Sequence, residues 1–590
     1  MTLETRRVAM LAILAVALGM GAESAHASYS AQVRGDTLVV TGDKAADTLA
    51  LRLTTPTTLA VTDGSAEHTF DKATFTAIDV DAGAGDDTVR IDQSGGAILD
   101  EQITLAGGSG NDTLVGGVGV ERLEGDGGHD LLDANAGIDA MFGGPGNDRF
   151  QWDPGDASDI VGGEAGRDEL DFNASNASER IDVLADGKLL RNIGSVTLDL
   201  GTVERLNFRP LAGTDTIALA DLTRTDIQTV AVDNPADTAA DVIQVAGTSG
   251  VDRVSATSDL PGGVRIDGLA ADVLVGGGDP LDVVEIPLLG GADTITSSVL
   301  LDTPFAVRAD GGDGTDSARF TGSEGDDTIG IVPNGGAVRT GLSLDTAAVE
   351  SLAVLPGAGN DTVHGLNGLA ALTSLTIDGG EGDDTLGGGD GADRILGRAG
   401  NDRIDGNRGN DDAQLGDGDD RFQWDPGDGN DSVNGQTGAD ALDFNASNAG
   451  ERIDIFRNGS RVKLQRDIAS ITMDFDSLET VGLRMLGGTD TIAIDDLSRT
   501  DVALVDVALA AFDGTPDGVA DRVSINGTSR PDVFDVIRSG QDVLTRGLRV
   551  TGSEPADTLQ INTLAGDDEV TVGPGVADLI TPSIDLGLGG

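Results

Sequence analysis

The sequence predicts an all-β chain in which two short nonapeptide solenoids alternate with strand-rich β-solenoid or sandwich segments. Hydrophobic residues make up 38% of the 590 residues but aromatic residues only 3%, which suits thin stacked β-structure better than one large globule. Gly and Asp interrupt the apolar pattern about every eight to twelve residues, as a chain of short strands requires. The third observation is a nine-residue period that occurs in two blocks, 107–151 and 379–423.

The period is visible when each block is written in nines. The first gives GGSGNDTLV, GGVGVERLE, GDGGHDLLD, ANAGIDAMF and GGPGNDRFQ, and the second gives GGEGDDTLG, GGDGADRIL, GRAGNDRID, GNRGNDDAQ and LGDGDDRFQ. All ten lines have Gly at position four, and position six is Asp in all but one, where it is Glu121. Glycines permit a loop with positive φ and close backbone approach. The position-eight residue is apolar in every line and is predicted to point inward from a short strand.

The loops of this period are predicted to bind Ca²⁺. Carbonyl oxygens along a glycine-rich turn can converge on an ion, and a short carboxylate adds the hard oxygen ligand that Ca²⁺ prefers. One nonapeptide cannot complete such a shell or bury its own apolar residue, so stacking is required. The candidate ligands are Gly108, Gly110, Asp112, Gly119, Glu121, Gly128, Asp130, Gly137, Asp139, Gly146 and Asp148 in the first array, and Gly380, Gly382, Asp384, Gly391, Asp393, Gly400, Asp402, Gly409, Asp411, Gly418 and Asp420 in the second.

If successive strands alternate between two sheets, each loop stacks on the loop two repeats away. The predicted carboxylate pairs, each sharing one Ca²⁺, are Asp112–Asp130, Asp130–Asp148, Glu121–Asp139, Asp384–Asp402, Asp402–Asp420 and Asp393–Asp411. Glu121 and the loop at 134–139, which lacks both leading glycines, are expected to form the weaker site of the first array.

The pattern resembles the GGxGxDxUx nonapeptide of the RTX, or haemolysin-type, calcium-binding repeat proteins. The resemblance implies that each array is a parallel β-roll and that several Ca²⁺ ions are bound. It is closest to the large secreted multi-copy calcium-binding members. Many RTX proteins are exported with an uncleaved C-terminal signal, whereas this chain begins with a cleavable-type segment, so the export route does not follow from the resemblance.

The organisation around the arrays is a duplication, in which residues such as Gly107 and Gly379 correspond with an offset of 272. The predicted segments are a signal peptide (1–27), a strand-rich segment (28–106), β-roll 1 (107–171), a post-array β segment (172–232), a strand-rich spacer (233–378), β-roll 2 (379–443), a post-array β segment (444–507) and a strand-rich segment (508–590). Isolated half-motifs carry Asp87, Asp316, Asp327 and Asp361, which are either further Ca²⁺ ligands or plain turn residues. The final LGLGG stands where another array would open, so we expect a longer repeat series.

Each array runs into the same octapeptide, RFQWDPGD, at 149–156 and at 421–428. It contains both tryptophans of the chain, Trp152 and Trp424, each followed by Pro. We expect the Phe-Trp pair to plug the apolar end of the β-roll, because repeat stacks need capping units. The alternative is an aromatic platform for a sugar.

The N-terminal segment predicts secretion, to the extracellular space or the cell surface. Arg6 and Arg7 precede an apolar stretch of 13 residues, 8–20, which is short for a membrane span, and Ala25-His26-Ala27 predicts cleavage before Ser28. A membrane anchor is the alternative, and Sec and twin-arginine export both remain open. No membrane span is predicted in the mature chain.

The formal net charge of −63 argues against nucleic acid or anionic membranes as partners. Such a charge favours either a disordered chain or a folded state that includes cations. The absence of cysteine in the chain removes disulfides as an alternative means of stabilisation.

An enzyme is not expected. The sequence contains neither H-E-x-x-H nor G-x-S-x-G, and His129 and His364 lie in or beside repeat loops as expected of solvated turn residues. The function predicted is therefore a secreted calcium-binding repeat protein with a structural, adhesive or matrix role. The alternative is a carbohydrate-active enzyme or glycan binder that uses the strand-rich segments, with a cell-surface or matrix polysaccharide as partner.

Overall fold

The computed structural model describes residues 29–258, 261–298, 303–341 and 344–587, and the predicted signal peptide lies outside these ranges. The described chain is built from strands, joined by loops and by five short 3₁₀ turns at Lys72–Thr74, Gln93–Gly95, Ile193–Ser195, Ile468–Ser470 and Val576–Asp578. The predicted all-β class is therefore confirmed. No helix within these ranges has the length and apolarity that crossing a membrane would need.

The strands of the first half are short. They are β1 (Ser30–Arg34), β2 (Thr37–Thr41), β3 (Thr48–Thr55), β4 (Thr58–Thr62), β5 (Glu67–Asp71), β6 (Ala77–Asp81), β7 (Thr88–Asp92), β8 (Gln102–Ser109), β9 (Thr113–Val115), β10 (Glu121–Gly127), β11 (Leu131–Asp133), β12 (Ala140–Gly146), β13 (Arg149–Trp152), β14 (Ile160–Gly166), β15 (Glu169–Asn173), β16 (Arg180–Val183), β17 (Lys188–Arg191), β18 (Val196–Gly201), β19 (Arg205–Arg209), β20 (Thr216–Leu219), β21 (Thr229–Asn234), β22 (Val242–Val245), β23 (Arg253–Thr257), β24 (Val264–Asp267), β25 (Asp272–Gly277), β26 (Val283–Pro287), β27 (Gly290–Gly291), β28 (Thr294–Ser298) and β29 (Ala306–Asp310).

The second half continues in the same way. Its strands are β30 (Asp313–Gly314), β31 (Ser317–Thr321), β32 (Thr328–Asn334), β33 (Ala337–Thr340), β34 (Leu344–Ala347), β35 (Ser351–Leu355), β36 (Gly357–Ala358), β37 (Thr362–Gly365), β38 (Ser374–Glu381), β39 (Thr385–Gly387), β40 (Arg394–Ala399), β41 (Arg403–Asp405), β42 (Asp412–Asp417), β43 (Arg421–Trp424), β44 (Ser432–Thr437), β45 (Ala441–Asn445), β46 (Arg452–Asn458), β47 (Arg461–Arg466), β48 (Ile471–Asp476), β49 (Thr480–Arg484), β50 (Thr491–Ile494), β51 (Leu504–Ala508), β52 (Arg522–Asn526), β53 (Val533–Ser539), β54 (Asp542–Thr545), β55 (Leu548–Thr551), β56 (Thr558–Asn562), β57 (Glu569–Val572) and β58 (Thr581–Asp585).

The chain divides into two units. The first comprises 29–173, 187–189 and 194–207, and the second comprises 174–186, 190–193 and the described residues from 208 onward. In the first unit one parallel sheet runs β2–β6–β8–β10–β12–β14–β18. The other runs β3–β7–β9–β11–β13–β15. Antiparallel strands cover the N-terminal edge of both sheets, with β1 on β2 and the β4–β5 pair on β3.

The second unit also has two sheets, which are mainly parallel. One runs β16–β20–β22–β26–β29–β34–β33–β32–β37–β39–β41–β43–β45–β49–β51–β55–β54–β53–β57. The other runs β21–β25–β24–β23–β28–β31–β35–β38–β40–β42–β44–β48–β47–β46–β50–β52–β56–β58. Four three-stranded antiparallel meanders interrupt the parallel stacking, and parallel pairing resumes after each.

The arrays have the predicted two-sheet stacking. Successive nonapeptides contribute strands alternately to the two sheets, so that Leu114 pairs with Leu132 and Leu132 with Phe150. The inward-facing residues at position eight are Leu114, Leu123, Leu132, Met141, Phe150, Leu386, Ile395, Ile404, Ala413 and Phe422, and all are buried. The apolar core is thus a narrow column between the sheets.

The octapeptide does not end the stack, so the prediction of an end plug is wrong. Trp152 is fully buried within β13, pairs with Phe172 of β15 and stacks on its ring at a centroid distance of 4.3 Å. Trp424 stacks on Phe444 in the same way at 4.2 Å. Each indole N–H donates to a carbonyl five residues on, at 3.1 and 3.0 Å, so the following loop folds back and the next strand rejoins the ladder. The tryptophans are internal layers of a continuing solenoid.

Candidate calcium-binding columns

The position-six carboxylates form columns along the edges of the solenoid. The backbone N–H of Asp112 donates to Oδ1 of Asp130 at 2.7 Å, and that of Asp130 donates to Oδ1 of Asp148 at 2.9 Å. In the second array Asp384 donates to Asp402 at 2.8 Å and Asp402 to Asp420 at 2.7 Å. The predicted stacking of every second loop is therefore present in both arrays.

The opposite edge carries a second, shorter column in each array. The amide of Glu121 donates to Asp139 at 2.7 Å, and the amide of Asp393 donates to Asp411 at 2.8 Å. All six predicted carboxylate pairs are thus neighbours in the fold. The aspartates that accept from a stacked amide do so through Oδ1, and their Oδ2 atoms are the second oxygens of the columns.

Most of these second oxygens have no donor. Across the described residues, no hydrogen-bond donor reaches the buried Oδ2 atoms of Asp112, Asp130, Asp139, Asp148, Asp384, Asp402, Asp411 and Asp420. A buried carboxylate oxygen without a partner is costly unless a cation or a proton neutralises it. The columns therefore present rows of oxygen atoms that require positive charge.

Two glycine positions make room for this arrangement. A side chain at position one would collide with the unpaired oxygen, because a Cβ added at Gly125 would lie 2.6 Å from Oδ2 of Asp130. A side chain at position four would collide with a carbonyl, because a Cβ added at Gly128 would overlap the carbonyl oxygen of Gly110, two repeats earlier. The glycines bring backbone carbonyls and carboxylates into the same column.

Burial and mutual repulsion raise the pKa of these acids. Burial, with repulsion from neighbouring acids, raises the pKa of Asp130 and of Asp402 to about 7. The pKa of Asp411 rises to about 8 for the same reasons. Carboxylates with such pKa values carry substantial free-energy cost when ionised at neutral pH, and a bound cation removes that cost.

Glu121 is held differently from most of the column aspartates, and its predicted role in a weaker Ca²⁺ site stays a prediction. Its longer side chain bends back onto its own loop, where Oε2 accepts from the N–H of Gly117 at 3.3 Å and Oε1 from that of Gly119 at 3.1 Å. Asp393 is similarly held, with Oδ2 accepting from the N–H of Gly389 at 2.5 Å. Each of these two residues opens its column, and its side chain is satisfied by its own loop.

The columns extend well beyond the arrays. Outside the arrays, the sequence predicts only the half-motif aspartates as candidate ligands. In the first unit the column runs from Asp47 through Asp87 into the array and ends at Glu204, which accepts from the amide of Asp168 at 2.7 Å. In the second unit Asp327 and Asp361 lead into the array, and Asp440 and Glu479 follow it. Each buried Asp stands two residues before an inward apolar residue, and this D-x-apolar signal is present throughout the sequence.

A second ladder, also unforeseen, runs along position five. The N–H of His129 donates to Oδ1 of Asn111 at 2.9 Å, and Nδ1 of His129 accepts from the N–H of Asn147 at 2.8 Å. In the second array Asp383, Asn401 and Asp419 are linked in the same way. His129 is exposed, as expected, but it is also a structural link between stacked loops. The recurrence of Asn, Asp or His at position five is its sequence signal.

The set of oxygen ligands in the columns fits Ca²⁺. Within the part of the chain that is described, no three His, Asp or Glu side chains converge as a metal-holding cluster. A cation in these columns would therefore be held by one or two carboxylates together with backbone carbonyls. An all-oxygen set with many carbonyls is typical of Ca²⁺ rather than of Zn²⁺ or copper.

Stacked parallel strands with acidic glycine-rich loops define a β-roll repeat protein. Comparison with protein families identifies the type of repeat. The RTX calcium-binding nonapeptide repeat matches four times, at 104–132, 115–150, 376–395 and 387–422. The chain thus contains repeats of the RTX calcium-binding type in both arrays. Comparison with curated proteins gives no match.

Proposed function

We propose that the protein is a secreted calcium-binding repeat protein in which Ca²⁺ bridges stacked loops and drives folding outside the cell, for a structural, adhesive or matrix role. The observation that carries the proposal is the row of buried carboxylate oxygens without donors in loops that match the RTX repeat. The 22 glycines and acids predicted from the sequence are proposed as the lining of these sites.

In the folded chain, the backbone fixes the positions of the proposed Ca²⁺ ligands. Backbone amides fix Oδ1 of each aspartate, so that Oδ2 and the carbonyls of the glycine loop stay in the column. Bound Ca²⁺ would supply the positive charge that the acids require. Because such sites rarely exist in an unfolded chain, binding energy becomes folding energy. Extracellular modules bind Ca²⁺ at about 10⁻⁴–10⁻³ M, so the chain would stay loose in the cytosol and fold after export.

The export step rests on the sequence of residues 1–27, with its basic start, apolar stretch and Ala-x-Ala site. We expect the secreted protein to begin at Ser28. N-terminal sequencing of the protein from culture medium tests this, and an intact N-terminus on secreted protein would contradict it.

Calcium-driven folding is tested by circular dichroism and tryptophan emission during a Ca²⁺ titration that starts in chelator. Trp152 and Trp424 are fully buried next to the two arrays, so their emission should shift to shorter wavelength as the arrays fold. Substituting Trp152 or Trp424 by Phe, one at a time, assigns the signal to one array. A β-signal that neither chelator nor millimolar Ca²⁺ changes would contradict the proposal.

A second candidate, a glycan binder or carbohydrate-active enzyme, is favoured by a groove of about 490 Å³ in the second unit, which is lined by both polar and apolar residues. Side chains of adjacent strands line it in register: Gln244, Glu285, Arg308 and Asp345. Asn334 adds an amide at 3.1 Å from Asp345. Amides, carboxylates and a half-exposed guanidinium suit hydroxyl-rich ligands. A glycan array with wild type and Arg308→Ala, together with a polysaccharide hydrolysis screen, tests this candidate, and wild-type protein without binding or hydrolysis would exclude it.

A further inference from the structure

Among the carboxylate columns of the second unit that lie outside the arrays and outside the family matches, two begin with a glutamate. In one, Glu179 donates its backbone N–H to Asp215 at 2.8 Å, Asp215 to Asp241 at 2.7 Å, and Asp241 to Asp282 at 2.9 Å. The other repeats the geometry with Glu451, Asp490, Asp521 and Asp557, at 2.8, 2.8 and 2.9 Å. We call them the first and second outer columns.

Their loops keep only part of the nonapeptide sequence. Asp215 and Asp490 retain a glycine two residues before and an isoleucine two residues after, whereas Asp241 and Asp521 lack that glycine. Five residues before the acid, where the arrays have the glycine that faces Oδ2, Asp215 has Pro210 and Asp490 has Met485. Backbone still packs closely, since a Cβ added at Gly488 would lie 2.9 Å from the carbonyl oxygen of Ala449 in the preceding loop. Different loop sequences therefore reach the same stacked carboxylates and carbonyls.

The first acid of each outer column is neutralised by an arginine of the chain itself. Arg466 donates from Nε to Oε2 of Glu451 at 2.5 Å and from Nη2 to Oε1 at 2.7 Å, and both side chains are almost completely buried. Arg191 makes the same two contacts with Glu179, also at 2.5 and 2.7 Å. Burial alone would raise the pKa of Glu451, but the bonds from Arg466 and Ser447 lower it below its usual value.

The last acid of each column, Asp282 or Asp557, accepts a backbone N–H on Oδ2, but acids between it and the glutamate lack such a donor. In the described chain, the buried Oδ2 atoms of Asp215, Asp241 and Asp490 have no hydrogen-bond donor, although these residues are only 3%, 2% and 1% exposed. Asp517, on the loop before Asp521, adds another buried Oδ2 without a donor. Each outer column therefore begins with a paired charge and continues with buried, unpaired carboxylate oxygens.

We propose that the two outer columns bind Ca²⁺ in loops that the RTX repeat does not match, with Arg191 and Arg466 in the role of the first cation of each column. The arginines occupy the position of a positive charge at the start of each column, and the unpaired Oδ2 atoms in the layers beyond them are the oxygen ligands proposed for a further cation. The inference rests on the proposed function, because it extends Ca²⁺ binding from the arrays to other loops.

The test compares an outer column with an array in the full secreted chain. Asp490→Asn keeps the shape and the Oδ1 acceptor but removes the charge, Asp402→Asn does the same in the second array, and Asp501→Asn is an exposed control. Bound Ca²⁺ per chain is measured by equilibrium dialysis with ⁴⁵Ca, and Tm is measured in chelator and in Ca²⁺. We expect Asp490→Asn to reduce bound Ca²⁺, to raise Tm in chelator and to shrink the Ca²⁺-induced rise in Tm.

The outcomes separate the two proposals. If Asp402→Asn reduces bound Ca²⁺ but Asp490→Asn leaves it at the wild-type value, the outer columns are not calcium sites while the function proposed for the arrays stands. An equal rise in Tm with and without Ca²⁺ for Asp490→Asn would mean that protons neutralise the column, and would also overturn the inference. Wild-type protein that binds no Ca²⁺ would overturn both.

The role of the arginine has its own test. Arg466→Met leaves Glu451 buried and unpaired, so we expect a lower Tm in chelator, with a larger share restored by Ca²⁺ than in wild type. The double variant Glu451→Gln/Arg466→Met removes both charges and should recover most of the Tm lost in chelator. A loss that Ca²⁺ does not reduce and that the double variant does not relieve would contradict the cation role.

Discussion

Asp402 and Asp393 differ in how many carboxylate pairs they serve, which gives a quantitative test of the column geometry. Asp402 stands in the middle of its column, accepting from the amide of Asp384 and donating its own to Asp420. Asp393 opens its column and is paired only with Asp411. If each pair shares one ion, Asp402→Ala removes two shared sites and Asp393→Ala removes one.

The expected magnitudes follow from ligand linkage. At 1 mM Ca²⁺ and a Kd of about 10⁻⁴ M, one site stabilises the folded state by about 1.4 kcal/mol. We therefore expect Asp402→Ala to lose about 2.8 kcal/mol of Ca²⁺-dependent stability, and Asp393→Ala about half of that. Both variants also leave a buried amide without its acceptor, at about 1–3 kcal/mol, but this loss is present with and without Ca²⁺ and cancels in the difference.

The assay is urea unfolding in 1 mM Ca²⁺ and in chelator, followed by emission of Trp424 in a Trp152→Phe background so that the second array alone is reported. Asp412→Ala is the matched control, because that side chain is half-exposed on β42 and outside the columns. Equal Ca²⁺-dependent losses for Asp402→Ala and Asp393→Ala would refute pairing of every second loop, and no loss in either would refute the ligand role of position six.

Three further predictions concern the effect of pH, the glycine at position four and the ladder along position five. The pKa of Asp130 and of Asp402 is about 7 in the folded chain and about 3.9 in the unfolded chain. Between these two pH values the folded state therefore binds more protons than the unfolded state. In chelator, Tm should therefore fall as pH rises from 5 to 8, and a flat or rising Tm would contradict this. Gly128→Ala should prevent folding of the first array at Ca²⁺ concentrations that fold wild type, as judged by Trp152 emission, whereas Gly276→Ala, which has open space around it, should not. Asn401→Ala should cost about 1 kcal/mol equally with and without Ca²⁺, because position five links loops but is not a proposed ligand. A Ca²⁺-dependent loss in its urea unfolding would add position five to the site.

The array fold was predictable because the same residue types recur at the same positions in all ten nonapeptides. Glycine at position four, an acid at position six and an apolar residue at position eight together define loop, column and core. The neighbouring segments alternate polar and apolar residues without a fixed period, so solenoid and sandwich remained equally possible. The meander of β46, β47 and β48 shows why, since three antiparallel strands replace a turn and the parallel stack then continues.

That the stack continues past the octapeptide could not be predicted from the sequence, for a related reason. Pro154 and the loss of the nine-residue period after Trp152 suggest an end to the stack. The structure instead absorbs two extra residues in one full turn, since Asp148 pairs with Asp168 over 20 residues where Asp130 pairs with Asp148 over 18. A longer loop can leave the strand register intact, and sequence spacing alone does not distinguish such a loop from a break.

The distribution of acids explains how one chain combines a large negative charge with a regular core. The interior between the sheets is apolar, and most of the buried acids stand in columns at the loop edges, where backbone amides fix them. Hydrogen bonds from backbone amides position these carboxylates but do not neutralise them. Keeping them ionised in the Ca²⁺-free folded chain at neutral pH therefore costs free energy. Replacing every array aspartate by asparagine would relieve that cost and favour folding without Ca²⁺. The acids are therefore better explained as a means of making folding depend on cations than as a source of stability, which is what the proposed folding after export requires.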